Sequence, residues 1–175
     1  MLKPLVLLAG AALAVAGLAL AAPQQQNTYS LTANLRARSE VPKATGVPTG
    51  AVGLFTGRAV ELASDRARLT WRLTFRKLSG RAIAAHVHTG RVGKAGNVIV
   101  PLCGPCRSGQ RGRATLTRTQ LRAVRRGATY VNVHTVRNAA GEIRGQVKAT
   151  KTGSGDAPPP APGPSPEPPP PTPYP

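Results

Sequence analysis

The chain of 175 residues is poor in aromatic side chains, in acidic residues and in cysteine. Aromatic residues make up 3% of it, 6 acidic residues stand against 24 Lys and Arg, and there are 2 cysteines. Proteins that bind single-stranded nucleic acid stack bases on aromatic rings, and DNA-binding domains often present a basic helix. The sequence offers neither feature, so we predict no nucleic-acid partner.

The first 22 residues have the pattern of a secretory signal peptide. Lys3 supplies the positive n-region, residues 5–20 are apolar or small, and Ala19-Leu20-Ala21 fits the small-x-small cleavage rule. Cleavage after Ala21 or after Ala22 is compatible with the pattern. We therefore predict an exported protein of the periplasm, the cell envelope or the extracellular space. A retained membrane anchor is the alternative, and an uncleaved signal would be the sole membrane contact.

Composition divides the remaining chain into three parts. Residues 23–27 form a polar lead-in, residues 28–150 carry the apolar patterning of a domain, and residues 151–175 form a proline-rich tail. Of the last 23 residues 12 are proline, which favours polyproline II and cannot build a core. We expect this tail to be disordered, and to act as a spacer or as a docking strip.

The domain shows the period-two alternation of half-buried strands. The predicted strands are 29–37, 50–62, 66–75, 84–90, 98–102, 130–135 and 145–149. Thr117 and Gln120 have the spacing of a capping box, which predicts one short helix with Leu121 and Val124 buried and Gly127 at its end. This pattern predicts an all-β fold, an antiparallel Greek-key β-sandwich of the immunoglobulin or superoxide dismutase type.

All three histidines of the chain lie in two of these strands. His86 and His88 flank Val87, and His134 alternates with Val133 in the second strand. The alternation places the three imidazoles on the polar side of a sheet, where they can converge. Because imidazole is the commonest metal ligand among side chains, we predict a copper or zinc site. The alternative is a set of structural histidines that bond to Asn132, Thr89 and Thr135.

Cys103 and Cys106 are predicted to form a disulfide, since an exported chain keeps close cysteines oxidised. Their spacing is that of thioredoxin-type redox motifs, but those motifs require a helix to begin at the first cysteine. Residues 107–112 have the composition of a loop instead. A redox or metal-thiolate role remains the alternative.

The positive charge is the second feature that bears on partners. Without Lys3, 23 basic and 6 acidic residues remain, a net charge of +17. Such a field attracts small anions and anionic polymers, and we expect an envelope polymer or a larger surface complex among the partners. The alternative is a solvated surface with no specific partner.

Several motifs resemble those of the chordin-type CHRD domain over about residues 28–150. They are Glu40-Val41-Pro42, the segment Ala85-His86-Val87-His88-Thr89-Gly90, and a closing run from Tyr130 to Gln146 that includes Asn138-Ala139-Ala140-Gly141-Glu142. The resemblance implies an extracellular β-sandwich. It leaves the activity open.

A weaker resemblance concerns the chemistry. His86-Val87-His88 is similar to the copper strand of Cu/Zn superoxide dismutases, and the segment from Gly141 to Gly145 is similar to the one that carries their anion-guiding arginine. It implies His86, His88 and His134 as copper ligands, and Arg144 near the open face of the metal to attract superoxide. No fourth histidine is present, so such an enzyme would use copper alone. The alternative function is a basic binding module without catalysis.

Overall fold

The computed structural model describes residues 26–62 and 64–155. Within these residues the chain forms nine strands, one α-helix and a 3-10 turn at Ala37–Ser39. The elements are β1 (Gln26–Arg36), β2 (Val52–Glu61), β3 (Arg66–Arg76), β4 (Ala82–Thr89), β5 (Val98–Cys103), β6 (Gln110–Thr117), α1 (Arg118–Arg125), β7 (Thr129–Thr135), β8 (Ile143–Gln146) and β9 (Lys148–Gly155).

The strands form one antiparallel sheet that nearly closes on itself. Their order is β5-β4-β7-β8-β1-β2-β3-β6, and β9 pairs with β1. The two ends of this path, β5 and β6, contact each other. The predicted all-β class with one short helix is confirmed, whereas the Greek-key sandwich connectivity stays a prediction.

Alternation of apolar and polar residues explains which face of each strand is buried. In β3 the side chains of Leu69, Trp71 and Leu73 are buried, while Thr70 and Arg72 between them are exposed. Phe75, on the same side of the strand, is partly buried at the margin of the core. A strand with one apolar face gains stability only when that face is covered, so the sheet curls around a single core.

The helix confirms the prediction from the capping box. The Thr117 hydroxyl accepts the Gln120 N–H at 3.2 Å, and the Gln120 side chain accepts the Thr117 N–H at 2.8 Å. Leu121 and Val124 are buried, and Gly127 follows the helix with a φ of 63°. These reciprocal bonds satisfy backbone donors that the first turn of a helix leaves free.

One strand was missed from the sequence. Residues 110–112, interpreted as loop, belong to β6, which pairs with β3 at the edge of the path. Gly112 suggested a loop, but it is required because Trp71 lies opposite: a Cβ there would be 2.3 Å from the indole Cζ2. Glycine thus marks close packing in a strand here.

The boundaries of the domain also differ from the prediction. Gln26 and Asn27, assigned to the lead-in, begin β1, and residues 151–155, assigned to the tail, belong to β9 and pair with β1. The predicted closing strand 145–149 is divided between β8 and β9 at the buried Val147. The predicted signal peptide and most of the proline-rich tail lie outside the described residues. In the described part of the chain, no helix has the length and apolar character needed to span a bilayer.

Candidate metal site

The register of the strands places the histidines side by side. In the β4–β7 pair Ala84 lies opposite His134, and His86 lies opposite Asn132. Positions 84, 86 and 88 alternate along β4, as do 130, 132 and 134 along β7, so these residues share one face. β4 is irregular on its β5 side, with register shifts next to His86 and His88. Such irregularities redirect side chains and recur beside functional sites.

The three imidazoles form a compact cluster. His86 Nδ1 lies 3.1 Å from His134 Nε2. The ring centroids of His86 and His88 are 5.6 Å apart, and one potential ligand atom from each of the three residues lies within 4.8 Å of the others. The shared face expected from the sequence therefore brings all three rings to one point.

Two backbone carbonyls orient two of the rings. His88 Nδ1 lies 2.9 Å from the Gly96 carbonyl, and His134 Nδ1 lies 2.9 Å from the Ala139 carbonyl. Because a carbonyl can only accept, both Nδ1 atoms donate and both Nε2 atoms carry a lone pair. His88 Nε2 is buried and has no hydrogen-bond partner among the described residues. Among the described residues, none of the three rings forms the hydrogen bond to Asn132, Thr89 or Thr135 that the structural alternative required.

The histidine face is covered rather than open to solvent along its length. Every residue of β7 is buried, so both of its faces are covered, contrary to the polar surface that the alternation suggested. Residues 90–97 cover one side, and the Gly96 N–H donates to the Tyr130 hydroxyl at 3.3 Å. His86 is only partly buried. Access to the cluster from solvent is therefore at His86.

Burial favours neutral imidazoles. The pKa of His86 is lowered by burial and, to a smaller extent, by repulsion from His134 and His88. Burial also lowers the pKa of His134, although the bond to the Ala139 carbonyl opposes this shift. Both rings are thus neutral near pH 7, which is the form that binds metal ions.

Arg144 lies in the same transverse row as His86, since Asn132 pairs with His86 on one side and with Arg144 on the other. Its guanidinium carbon lies 3.3 Å from the centroid of the Tyr130 ring, and its Nη2 donates to the carbonyls of Arg91 and Lys94 at 3.1 and 2.7 Å. The side chain is 2% exposed.

This position differs from the one that the sequence predicted for Arg144. β7 lies between β4 and β8, and the Tyr130 ring stacks on His88 at 4.9 Å between centroids. Tyr130 therefore separates Arg144 from His88, and Arg144 has no exposed surface facing the cluster. Its hydrogen bonds fasten the loop that supplies the Gly96 carbonyl.

A buried polar group adjoins this row. Glu40 is 1% exposed, and burial raises the pKa of its carboxyl to about 7 even though the Val41 N–H, the Arg144 charge and the Asn132 amide act in the opposite direction. Those groups lie close enough to influence Glu40, but neither carboxyl oxygen has a partner at hydrogen-bond geometry among the described residues. Gly141 packs against this carboxyl, and a Cβ there would lie 2.7 Å from its carbon.

Glu142 holds the turn that follows β7. Its carboxylate accepts from the Ser79 backbone and hydroxyl, from Thr135 Oγ1 at 2.6 Å and from Asn138 Nδ2 at 3.2 Å. Burial would raise the pKa of Glu142, but these hydrogen bonds lower it overall. The turn carries Ala139, so Glu142 stabilises the backbone that orients His134.

Cys103 and Cys106 are joined by a disulfide, with their Cα atoms 5.2 Å apart. The Cys106 N–H donates to the Ala82 carbonyl at 3.1 Å, which attaches this turn to the start of β4. Neither sulfur belongs to the histidine cluster. The bridge therefore stabilises the edge of the sheet and offers no thiolate ligand to the cluster.

Asn132 was expected beside the histidines from the sequence. The stacking role of Tyr130 was missed, although Tyr130 alternates with His134 on the same face. The carbonyls of Gly96 and Ala139 carried no signal, because backbone groups in loops leave no pattern in the side chains.

The fold and the cluster define an all-β domain with a three-histidine group on one face of its sheet. The sequence matches the CHRD domain family over residues 31–147, which is more than half of the chain. The protein therefore belongs to the CHRD domain family. It matches no curated protein and no solved structure.

Proposed function

We propose that the exported domain binds one copper ion through His86, His88 and His134, and that the loaded site dismutates superoxide. The observation that carries the proposal is the pair of carbonyl-oriented rings: His134 Nε2 lies 3.1 Å from Nδ1 of the third histidine, and His88 Nε2 is buried without a hydrogen-bond partner among the described residues. Histidines that bind metals commonly donate their other ring N–H to a carbonyl or a carboxylate, which fixes the tautomer and the ring orientation.

The spacing of the nitrogens supports a metal ion. A tetrahedral ion with bonds of about 2.0–2.1 Å keeps its nitrogen ligands roughly 3.4 Å apart. His86 and His134 approach within 3.1 Å, and the whole set lies within 4.8 Å. Since His86 is only partly buried, its ring can rotate, which can shorten the distance between its nitrogen and that of His88. A bound metal ion would stabilise the buried, unpartnered Nε2 of His88 most, because an unsatisfied buried polar atom costs about 1–3 kcal/mol.

The donor set favours copper over other ions. Three imidazoles without a carboxylate or a thiolate suit copper and zinc, and copper(II) is bound more tightly than zinc by the same nitrogen ligands. When bound, copper would supply one-electron chemistry, oxidising one superoxide and reducing the next. Three protein ligands leave a position for a small anion, as open metal sites require.

The protein contributes attraction and positioning. Without Lys3, its 23 basic and 6 acidic residues give a net charge of +17, which raises the encounter rate with an anion. The exposed Arg91 and Lys94 lie on the loop that covers the histidines. Arg144 is a positioning residue in this scheme, because it fastens that loop through the carbonyls of the same two residues.

Metal analysis of protein purified from its native envelope, followed by a superoxide-consumption assay, tests the proposal. We expect one copper per chain and superoxide consumption that depends on it. His88→Ala should lose both together, whereas Thr70→Ala on the outer surface serves as the control and should keep both. Zinc in place of copper would indicate a structural metal, and copper without superoxide consumption would indicate storage. A chain without stoichiometric metal would overturn the proposal.

Arg144→Ala separates the two roles of the arginine. If Arg144 positions the loop, the variant should bind copper about 10–100-fold more weakly, as for other residues that support metal ligands. If copper affinity is unchanged and the rate falls, most of all at low salt, Arg144 guides the anion as the sequence suggested. Arg72→Gln, with the same loss of charge elsewhere, is the control for both readouts.

A further inference from the structure

The outer surface of β2, β3 and β6 carries an ordered array of arginines, which we call the arginine face. Its arginines are all exposed, and they alternate with the buried residues of the same strands. They are Arg58 in β2, Arg66, Arg68, Arg72 and Arg76 in β3, and Arg111 and Arg113 in β6. Threonines occupy most of the remaining outward positions of β3 and β6.

The register arranges four of these arginines in two parallel rows. One row runs Thr56, Arg72, Arg111 across the three strands, and the next runs Arg58, Thr70, Arg113. Between them lies the row Gly57, Trp71, Gly112, in which the indole points into the core.

A trough therefore crosses the strands, with backbone as its floor and two arginines along each side. The two rows are two residues apart along each strand, which corresponds to about 7 Å. The groove lined by these residues has a volume of about 700 Å³ and is shallow. Its width and its continuous floor suit a single extended chain rather than a compact ligand.

The four arginines of the trough form no ion pair with any described residue. Arg72 lies directly opposite Arg111, and like charges at paired positions of a sheet destabilise it. Over residues 26–62 and 64–155, the ion pairs join Arg118 to Asp65 and Arg125 to Glu61, and none involves the four arginines of the trough. No carboxylate lines the groove. An external anion would relieve this repulsion.

The side chains also indicate which polyanion fits. Guanidinium groups bind carboxylate and phosphate groups through two parallel hydrogen bonds, and threonine hydroxyls bond with other hydroxyls. The trough combines both, and its one aromatic residue, Trp71, is 6% exposed, so it offers no accessible ring on which a base could stack. A chain that carries acidic groups and hydroxyls together is an acidic polysaccharide.

We infer that the arginine face binds an extended acidic polysaccharide, laid across the strands along the trough. Acidic groups on the two sides of the polymer pair with Arg72 and Arg111 on one side and with Arg58 and Arg113 on the other. This surface is separate from the histidine cluster, and binding to it does not depend on the proposed metal site.

Polygalacturonate is a suitable probe, with neutral dextran as the polymer control. The full exported chain should bind polygalacturonate, with an affinity that falls steeply as salt rises, and should not bind dextran. Arg72→Gln combined with Arg113→Gln removes one arginine from each row and should weaken binding about tenfold or more. Arg122→Gln in α1 combined with Arg126→Gln just after it removes the same charge from another exposed surface and should change affinity by less than about twofold.

Two further measurements make the test decisive. Arg72→Lys combined with Arg113→Lys keeps the charge but loses the forked geometry, and we expect a weakening between those of the other two variants. His88→Ala should bind the polymer like the unchanged chain, which separates this inference from the metal proposal. Equal losses in the trough and helix variants would overturn it. So would tighter binding to a single-stranded oligonucleotide or to phosphatidylglycerol vesicles than to polygalacturonate.

Discussion

Nδ1 of His86 lies 3.1 Å from Nε2 of His134, so one imidazole is the hydrogen-bond partner of the other. His134 donates its Nδ1 proton to the Ala139 carbonyl, which leaves its Nε2 as an acceptor. His86 must then donate from Nδ1. In the metal-free cluster a hydrogen bond thus joins His86 to His134, and a metal ion would replace a proton between two nitrogens that already face each other.

This arrangement predicts the tautomer of each ring. We expect all three histidines of the metal-free protein to carry a proton at Nδ1, since each Nδ1 faces an acceptor. Nitrogen chemical shifts in a two-dimensional NMR spectrum of the imidazoles distinguish the tautomers. With a diamagnetic ion such as zinc, His88 and His134 should keep their Nδ1 protons. An Nε2-protonated His88 would contradict the metal-binding orientation.

The position of the loop over the cluster should depend on the absence of a side chain at Gly96. A Cβ at this position would lie 2.0 Å from the Thr89 carbonyl oxygen, so Gly96→Ala must displace the loop. The displacement removes the carbonyl that orients His88, and we expect metal affinity to fall about 10–100-fold. Gly80→Ala is the matched control, because a Cβ there has no neighbour within 4 Å. Zinc titration of both variants checks this prediction, and equal affinities would contradict it.

The buried carboxyl of Glu40 should make the free energy of unfolding depend on pH. Its pKa is raised from 4.5 to about 7 in the folded protein, so the folded state holds a proton that the unfolded chain releases between these values. The contribution of Glu40 to stability is therefore full below about pH 4.5 and is lost as the pH rises through 7.

Substitution of Glu40 measures this contribution. Glu40→Gln stays neutral, so it should stabilise the protein relative to the unchanged chain by about 1–3 kcal/mol at pH 8 and much less at pH 5. Urea unfolding at the two pH values provides the comparison. Asp65→Asn is the control, since Asp65 is exposed and pairs only with an exposed arginine. A stability difference independent of pH would show that Glu40 is ionised in both states.

The disulfide should matter little to the fold. A bridge over so short a loop removes little entropy from the unfolded chain, about 2 kcal/mol on the chain-entropy relation. Cys103→Ser combined with Cys106→Ser should therefore remain folded, with its metal affinity unchanged. Urea unfolding and zinc titration of the double variant test both statements. Two titratable thiols in the non-reduced exported protein would show that the bridge does not form in the cell.

Alternation in the sequence was sufficient to predict most of the fold. The periods of β1 and β3 are regular because one face of each strand packs against the core, and that constraint is visible residue by residue. The helix was predictable from Thr117 and Gln120 alone. The strand β6 was not, because its glycine reflects the size of Trp71, which is 41 positions away in the chain and reveals nothing in a local window.

The histidine cluster was predictable only in part. The side-chain alternation placed the three rings on one face, but it could not show that loops cover that face. The segments that carry Gly96 and Ala139 have no period, and their positions depend on long-range contacts such as those of Arg144 with Lys94 and of Glu142 with Ser79. The anion-guiding role first expected of Arg144 rested on the order of residues from Gly141 to Gly145. That order does not reveal that Tyr130 stands between Arg144 and His88.

The pairing of Gln26 with Gly155 determines where an attachment through either end of the chain would meet the domain. The segments before and after the described β-structure join it at adjacent strand ends, about 5 Å apart as in any antiparallel pair. The transverse row through His86, Asn132 and Arg144 reaches β1 at Arg36, ten residues from Gln26. At the rise of an extended strand this distance is about 30 Å. A molecule tethered through either terminus would therefore hold its histidines on the side remote from the attachment point.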